Sequence, residues 1–451
     1  MLAESLTYDR LVSFKNFSLV QIVICMKVDI LIIGAGALGL ASACHLKSRN
    51  PGKRVLVIDR FGGAGQGNSA KSEGAFRNVF TSKTNYLLAD STIDWFFHLQ
   101  NNLGYDLKLT KTGYLWLFSE GKYNSLKGTL ELMLNHGIES KIFEKRELKK
   151  IVPDLVTDFE GDEEAELMGL EPVDLGFYCA KCGSVDASSL VESYASEFLK
   201  LGGEIQYNTT VNRLVIKPEE ELGIPGEPFV WQRSRIAGVE TDRGEIEADK
   251  TVVAVGAWAE RLLEPIGFDP FMRPKKRQLF VFKDDKLKGL FNLKGINDYG
   301  ILPLTILPKA GVYLKAELTE GSIWLGCPDD LGRKFELEDD PQPEEEYYTN
   351  NIYHVLVKYF PCFRDLRPVN MWAGQYEINS LDMTPVVAPA PGMIYVGAAS
   401  GSGIMKSDAI GRIVAALYAG DEEAELYGGR KFKVADLGIS TRHVEKEAFI
   451  I

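Results

Sequence analysis

The most regular pattern along the chain is at residues 28–33, Val-Asp-Ile-Leu-Ile-Ile, a β-branched apolar run that predicts a buried parallel strand. Gly34-Ala-Gly36-Ala-Leu-Gly39 follows directly, residues 38–49 read as a helix, and Asn50-Pro51-Gly52 breaks it. Residues 54–58, Arg-Val-Leu-Val-Ile, form a second apolar strand ending at Asp59, which completes a βαβ unit. Beyond it the pattern predicts a glycine- and serine-rich loop at 62–74, a helix at 86–102, and short strands mixed with polar helices over 103–170. A helix at 184–201 opens after Ser184-Val-Asp186. A strand at 204–207, a Thr-Thr-Val211 segment, a hairpin at 236–249 and an apolar strand at 251–255 follow. Residues 262–370 alternate strands with turns, including 278–282, 312–315 and 323–326. The charged tract at 336–346 predicts a solvated loop. Residues 393–396, a glycine turn over 397–403 and a helix at 404–417 repeat the plan of strand, turn and helix, and no short internal repeat is visible.

Composition narrows the partners. A chain of 451 residues with 45% hydrophobic content can bury a large core in two or three domains. Its formal charge of -12 repels phosphate backbones, which argues against nucleic acid. Six cysteines are too few for a disulfide scaffold and fit a reducing compartment. Cys179-x-x-Cys182 is the only close pair; a redox dithiol or half a zinc site is the sharper reading, two structural thiols the simpler one. The five histidines lack metal-ligand spacing, so no metal is expected. Residues 1–25 read as an extension upstream of a natural start at Met26. Their apolar run, 17–25, is short of the ~20 residues a membrane span needs, and no other stretch reads as transmembrane. The expected location is the cytoplasm, free or peripherally attached to a membrane.

The glycine pattern carries the chemistry. A lone G-x-G-x-x-G is weak evidence, but here it sits between strand and helix, with an acidic residue about 20 positions after its last glycine. Gly34 permits the tight turn, Gly36 lets the backbone approach a pyrophosphate, Gly39 lets helix and strand pack, and Asp59 accepts from a ribose. The second glycine element points to FAD rather than a nicotinamide: a helix starting at Gly403 to Lys406 would direct its positive end at a flavin ring.

Together these residues resemble the D-amino-acid oxidase-type flavoenzymes, a family that includes glycine oxidase, sarcosine oxidase and amino-acid dehydrogenases. The matching pieces are residues 34–39 with Asp59, Ser69-Ala-Lys-Ser-Glu-Gly74, Gly183-Ser-Val-Asp186, the Val211 segment, Gly238 to Gly244, Val253-Ala-Val-Gly-Ala-Trp258, Thr384-Pro385 and Ser400 to Arg412. Within the family, residues 221–228, Arg273-Pro-Lys-Lys-Arg277, Asp340-Pro-Gln-Pro-Glu344 and residues 401–408 look like dye-linked L-proline dehydrogenases. The resemblance implies an α/β (α+β) chain with a discontinuous Rossmann-like FAD-binding domain, 26–105 with 171–260 and 371–430. It also implies a mixed-sheet substrate domain, 106–170 with 261–370, and a tail at 431–451. It implies cofactor contacts from Gly34, Gly36, Ala37, Leu38, Gly39, Asp59 and Arg60, and from Ser69, Ala70 and Ser72 in the loop. Val211, Gly256 and Trp258, then Gly401, Gly403, Ile404, Met405 and Lys406, complete the expected set.

The resemblance further places Arg77 on the substrate carboxylate, for which a guanidinium fork is well shaped, with a plain surface arginine as the alternative. Lys406 is expected as a second carboxylate ligand, although Ile404-Met405-Lys406 is one residue longer than the family's pattern, and Tyr376 flanks the pocket. Two departures matter. Gly374-Gln375 stands where sarcosine oxidases carry a flavin-linked cysteine, which implies non-covalent FAD. Trp324 stands where they carry an oxygen-activating lysine, which implies an acceptor such as a quinone or another carrier. The expected reaction is hydride transfer from the Cα of a small amino acid, L-proline first, to flavin N5. Other sarcosine, glycine or D-amino-acid oxidation, oxidation of a hydroxy acid or glycerol phosphate, and a non-catalytic flavoprotein subunit are the rival readings.

Overall fold

The computed structural model describes residues 26–309, 311–328 and 333–449, so the expectations for residues 1–25 lie outside the described residues. The βαβ unit is present: β1 is Met26–Ile33, α1 is Ala37–Arg49 and β2 is Val55–Ile58. β1 and β2 are parallel, with Ile30 opposite Val55 and Ile33 opposite Ile58. Successive side chains of a strand point to opposite faces. Ile30 and Ile32 pack with Leu40, Leu46, Tyr194 and Ile413, whereas Leu31 and Ile33 pack with Ile58, Val253 and Leu263. Burial on both faces is why the strand reads as an unbroken apolar run.

The first sheet has eight strands. Its main path runs Val386–Ala390, Met393–Gly397, Gly244–Val253, β1, β2, Glu204–Gln206, with Ser234–Thr241 and Val211–Pro218 folded out from strand Gly244–Val253. β1 has β2 on one side and Gly244–Val253 on the other, so chain direction across the sheet reverses at β1. Such a switch point opens a crevice beyond the carboxyl ends of the strands. On one face lie α1, helix Ala187–Lys200 and helix Ser407–Ala419. The last crosses α1 so closely that a Cβ on Gly411 would come 2.6 Å from the Ala41 carbonyl oxygen. The helix predicted after Ser184-Val-Asp186 starts as expected, with Asp186 accepting from the Ser189 amide at 2.7 Å, a cap of about 1 kcal/mol.

The hairpin predicted at 236–249 and the strand predicted at 251–255 share one strand, Gly244–Val253. It turns back on Ser234–Thr241 while running parallel to β1 from Ile246 to Val253. Local pattern suggested a break there, but β1 supplies hydrogen bonds along the whole length.

The second sheet also has eight strands, in the order Asn370–Asn379, Met272–Phe282, Ser322–Gly326, Tyr313–Glu317, Leu304–Ile306, Tyr114–Phe118, Leu175–Cys179, Ser140–Glu144. Strands Leu175–Cys179 and Asn370–Asn379 were expected in the FAD-binding segments 171–260 and 371–430, yet both belong to this sheet. An apolar five-residue strand does not encode which sheet accepts it; here Leu175–Cys179 pairs with Tyr114–Phe118, and Asn370–Asn379 with Met272–Phe282. One face covers a core built on Leu115, Phe280, Leu314 and Leu325. The other turns Tyr114, Tyr313, Lys315, Trp324 and Tyr376 toward the first sheet. The tail at 431–449 is not detached either: Lys431–Lys433 pairs with Glu423–Glu425, and Phe449 packs against Trp116 at 5.3 Å between ring centroids. Among the described residues no helix is long and apolar enough to cross a membrane.

Candidate active site

A cleft of about 510 Å³ opens at the carboxyl end of β1 and continues to the second sheet. Its floor is the glycine turn. Gly34 has φ +108, and a Cβ there would lie 2.3 Å from the Ala254 carbonyl oxygen. A Cβ on Gly39 would lie 1.9 Å from the Gly34 carbonyl oxygen, so Gly39 serves packing and does not line the cleft. Gly36, Ala37 and Leu38 do line it, at the start of α1. The Asp59 carboxylate accepts from the Ala35 amide at 2.7 Å and the Phe61 amide at 2.8 Å, which fixes the two strand ends together. Burial raises its carboxyl, and those amides oppose the shift.

The cleft's sides come from distant segments. Ser69 lies beside the α1 terminus, its hydroxyl accepting from the Ala37 amide at 3.2 Å, and Ser72 lines the same loop. Ala70, expected with them, instead donates its amide to the Gly65 carbonyl and is not on the cleft surface. Arg60 stacks its guanidinium 4.2 Å from the Trp258 ring, and Val211 and Gly256 complete that end. At the other end Gly401, Gly403 and Ile404 face the cleft. The Tyr376 ring lies on Gly401, where a Cβ would come 2.2 Å from ring carbon, so the second glycine element is shaped to receive this tyrosine.

Met405, Lys406 and Arg77 sit behind that wall. Met405 is in the helical core. Lys406 is 1% exposed and donates to Asn85 Oδ1 at 2.8 Å and Ser402 Oγ at 2.6 Å. Arg77 donates to the Val79 carbonyl and stacks 4.2 Å from the Phe80 ring, whose other cationic neighbour is Lys406 at 4.8 Å. Arg77 is therefore no surface arginine. Burial, and then the Arg77 charge, lower the Lys406 amine to about 7. Glu447, from the tail, adds a negative charge to this pair; it accepts from the Thr81 amide at 2.9 Å and from Asn85 Nδ2 at 3.2 Å. Burial pushes the Glu447 carboxyl up, but the Thr81 hydrogen bonds and the Arg77 charge outweigh it and leave the group below the ordinary value. Cys179 and Cys182 are both buried nearby; burial drives both thiols away from ionisation, Cys182 to about 12, which fits structural thiols.

Four features escaped the sequence reading. The charged tract is partly drawn onto the cleft mouth: Asp339 accepts from Arg261 at 2.7 Å and Trp258 Nε1 at 3.0 Å, and Glu344 pairs with Lys276 at 2.9 Å and with Arg333. Arg333 and Lys276 hold the Glu344 carboxyl down at about 2 against its burial. Glu377 lines the cleft with one oxygen buried and unpartnered. Lys315 is paired in register with Trp324 and holds its amine 4.2 Å from that ring, so a cation does stand beside the tryptophan, one strand away. Its amine donates to the Glu73 carbonyl at 2.5 Å and pairs with Glu317 at 3.3 Å. The fourth is the Glu73 carboxylate. Residue types alone signalled none of these, because each depends on pairing between distant segments.

The cleft fits a flavin dinucleotide. It offers a helix terminus and bare glycine backbone for a pyrophosphate, Asp59 for a ribose, and the Glu377 oxygen as an unused buried acceptor for a hydroxyl or N–H. Among the described residues no group of three or more His, Cys, Asp or Glu side chains is placed to hold a metal ion.

Comparison with known proteins agrees with this geometry. The family model described as FAD dependent oxidoreductase matches residues 29–417. FAD-dependent oxidoreductase domain-containing protein 1 of Xenopus laevis is 23% identical over 428 residues, covering 87% of this chain and 79% of that one. Sarcosine oxidase subunit beta of Rhodobacter capsulatus is 22% identical over 386 residues, 84% of this chain and 82% of that one. Among solved structures, L-proline dehydrogenase from P. horikoshii superposes with a TM-score of 0.70 at 22% identity, covering 88% of this chain and 94% of that one, which shows a shared fold.

Proposed function

Because the chain belongs to the FAD-dependent oxidoreductase family, we propose that it oxidises the Cα–N bond of a small amino acid, L-proline first, and passes the electrons to a carrier other than oxygen. Bound flavin supplies the two-electron acceptor. The observation that carries the reading is the cationic pair at the Tyr376 end of the cleft: Arg77 and Lys406 flank Phe80, both buried. The buried guanidinium and the Lys406 amine, half protonated at about pH 7, share one carboxylate from the tail, and a small anion bound between them would hold the amine in its charged form. With the carboxylate anchored there, Tyr376 stands between the anchor and the cofactor cleft, and buried Tyr114 with half-buried Tyr313 packs on the same face of the second sheet. Support for proline comes from the motifs at 221–228, 273–277, 340–344 and 401–408 and from the L-proline dehydrogenase neighbour.

Trp324 supports an acceptor other than oxygen, since the Lys315 charge beside it is already engaged by Glu317 and a carbonyl. Six cysteines in 451 residues are too sparse for a disulfide scaffold and support a cytoplasmic setting, free or at a membrane surface. Steady-state assays with an artificial dye and L-proline, sarcosine, D-amino acids, 2-hydroxy acids and glycerol 3-phosphate test the reading. The expected result is turnover with L-proline above the rest; preference for a C–O substrate would replace it.

FAD is held without a covalent bond in this proposal, because among the described residues neither cysteine nor histidine lines the cleft. Acid precipitation of the loaded protein is expected to leave all yellow colour in the supernatant. A flavin that stays with the pellet would show a covalent link.

A further inference from the structure

Glu73 has no part in the chemistry described so far, yet its carboxylate lies among the tyrosines at the Tyr376 end of the cleft. It lies between Ser72, which lines the cleft, and Gly74, in the loop that faces the second sheet. Its Oε2 is shut off from solvent and has no hydrogen-bond partner. Gly74 holds the loop rigidly: its φ is +66, and a Cβ would lie 1.9 Å from the Val185 carbonyl oxygen. The Lys315 amine grips the Glu73 carbonyl rather than the carboxylate oxygens. A buried carboxylate oxygen without a donor is costly, commonly about 1–3 kcal/mol or more for a charged group, and a fold retains it where a ligand supplies the missing donor.

The groups that face Glu73 come from four elements. Lys315 and Tyr313 project from strand Tyr313–Glu317, Tyr114 from Tyr114–Phe118 and Tyr376 from Asn370–Asn379; Arg77 acts on Tyr114 and Tyr376 from the far side. Arg277, on Met272–Phe282, lies 5.4 Å from the Tyr376 ring. Glu317 offsets the Lys315 charge at 3.3 Å. The surroundings are thus mostly phenolic, with one engaged lysine. Burial raises the Glu73 carboxyl to about 7, opposed by Lys315 and a hydrogen bond with Tyr313, so the group exchanges its proton near neutrality.

We propose that Glu73 is the base that takes a proton from the substrate's ammonium group, receiving the amine end of the amino acid while Arg77 and Lys406 hold its carboxylate. The inference rests on the amine reading given above. In the step, an N–H bond of the substrate ammonium breaks and an O–H bond forms at Glu73, so ammonium and carboxylate become a neutral amine and a carboxylic acid. The nitrogen lone pair is thereby freed. A bound flavin would accept the Cα–H electron pair as hydride, and the lone pair freed by Glu73 would form the C=N bond of the oxidised product. Without the proton transfer the lone pair is occupied and hydride has no partner to leave behind.

The test compares wild-type, Glu73→Gln and Glu73→Asp holoenzymes, first for flavin content, visible spectrum and Tm, then for kcat/KM against pH from 5.5 to 10.5 with the best amino-acid substrate. Wild type is expected to lose kcat/KM below about pH 7. Glu73→Gln is expected to keep its flavin, to fall by roughly 10²-fold at pH 7.5, and to recover most of that loss near pH 10, where the free amine is abundant in solution. Glu73→Asp should keep an acid limb, displaced in pH. A Glu73→Gln profile superimposable on wild type overturns the proposal, as does a loss that is equal at every pH. If the wild-type enzyme reduces its flavin with hydroxy acids and with no amine at any pH, the amine reading itself has failed and this proposal with it.

Discussion

Replacing Gly36 by aspartate is expected to give a folded protein that binds no flavin. Gly36 has φ -82 and ψ -177, extended backbone open to any residue, and a Cβ there would meet only the Ser69 hydroxyl at 3.3 Å. The fold therefore has no stake in the glycine. The cofactor does: the added carboxylate projects into the cleft at the α1 terminus, where a pyrophosphate would use the same amides and the same positive end of the helix. Two unit charges about 4 Å apart in partly buried surroundings repel by about 4 kcal/mol, close to a 10³-fold loss of affinity. The checks are far-ultraviolet circular dichroism, gel filtration and flavin absorbance after loading with FAD. Gly39→Val is the contrast, since its Cβ would collide with the Gly34 carbonyl oxygen at 1.9 Å, and it is expected to lose the fold as well. A Gly36→Asp protein that stays yellow would remove the pyrophosphate from this turn.

Arg77→Met is expected to raise KM for the amino acid by roughly 10²-fold, the ratio that corresponds to a lost charge-assisted hydrogen-bond pair of about 3 kcal/mol, with flavin content unchanged. It should also lower stability. The guanidinium is buried, bonded to the Val79 carbonyl and stacked on Phe80, and its charge helps keep Glu447 ionised. Because the Glu447 carboxyl lies below its ordinary 4.5, its contribution to stability is present above that pH and is lost as pH falls below it. Removing Arg77 raises the folded-state value toward 4.5, so this contribution shrinks and less stability remains to be lost as pH falls. Glu447→Gln in the Arg77→Met background is expected to restore much of the Tm and none of the KM. A restored KM would assign Arg77 to the tail alone and leave the substrate carboxylate to Lys406.

The βαβ unit was legible because every signal agreed there: a doubly buried strand written in Ile, Leu and Val, glycines at the turn, and Asp59 where the second strand ends. The same holds for Asp186 as a helix cap and for the turn before Ile404. What the sequence could not carry was pairing across distance. Residues 175–179 read as one more apolar strand, and only their partner Tyr114–Phe118 assigns them to the second sheet. Trp324 suggested that no cation was near, because Lys315 reaches it through register, nine positions away in sequence but directly opposite across two strands. The tract at 336–346 read as solvated charge, whereas Asp339 and Glu344 are tied to Arg261, Trp258, Lys276 and Arg333. Arg77 and Lys406 were named from resemblance, and their approach to Glu447 joins positions more than 360 residues apart in one case, which no local pattern records.

The central claim is that a small amino acid reduces the bound flavin and that a carrier other than oxygen reoxidises it. Its most direct test is anaerobic: the flavin's visible absorbance is followed on mixing with L-proline, and reoxidation is then timed with air and with an artificial dye. The account predicts full bleaching by L-proline and reoxidation by dye far faster than by air. Bleaching by 2-hydroxy acids or glycerol 3-phosphate but by no amine, or reoxidation by air as fast as by dye, would contradict it.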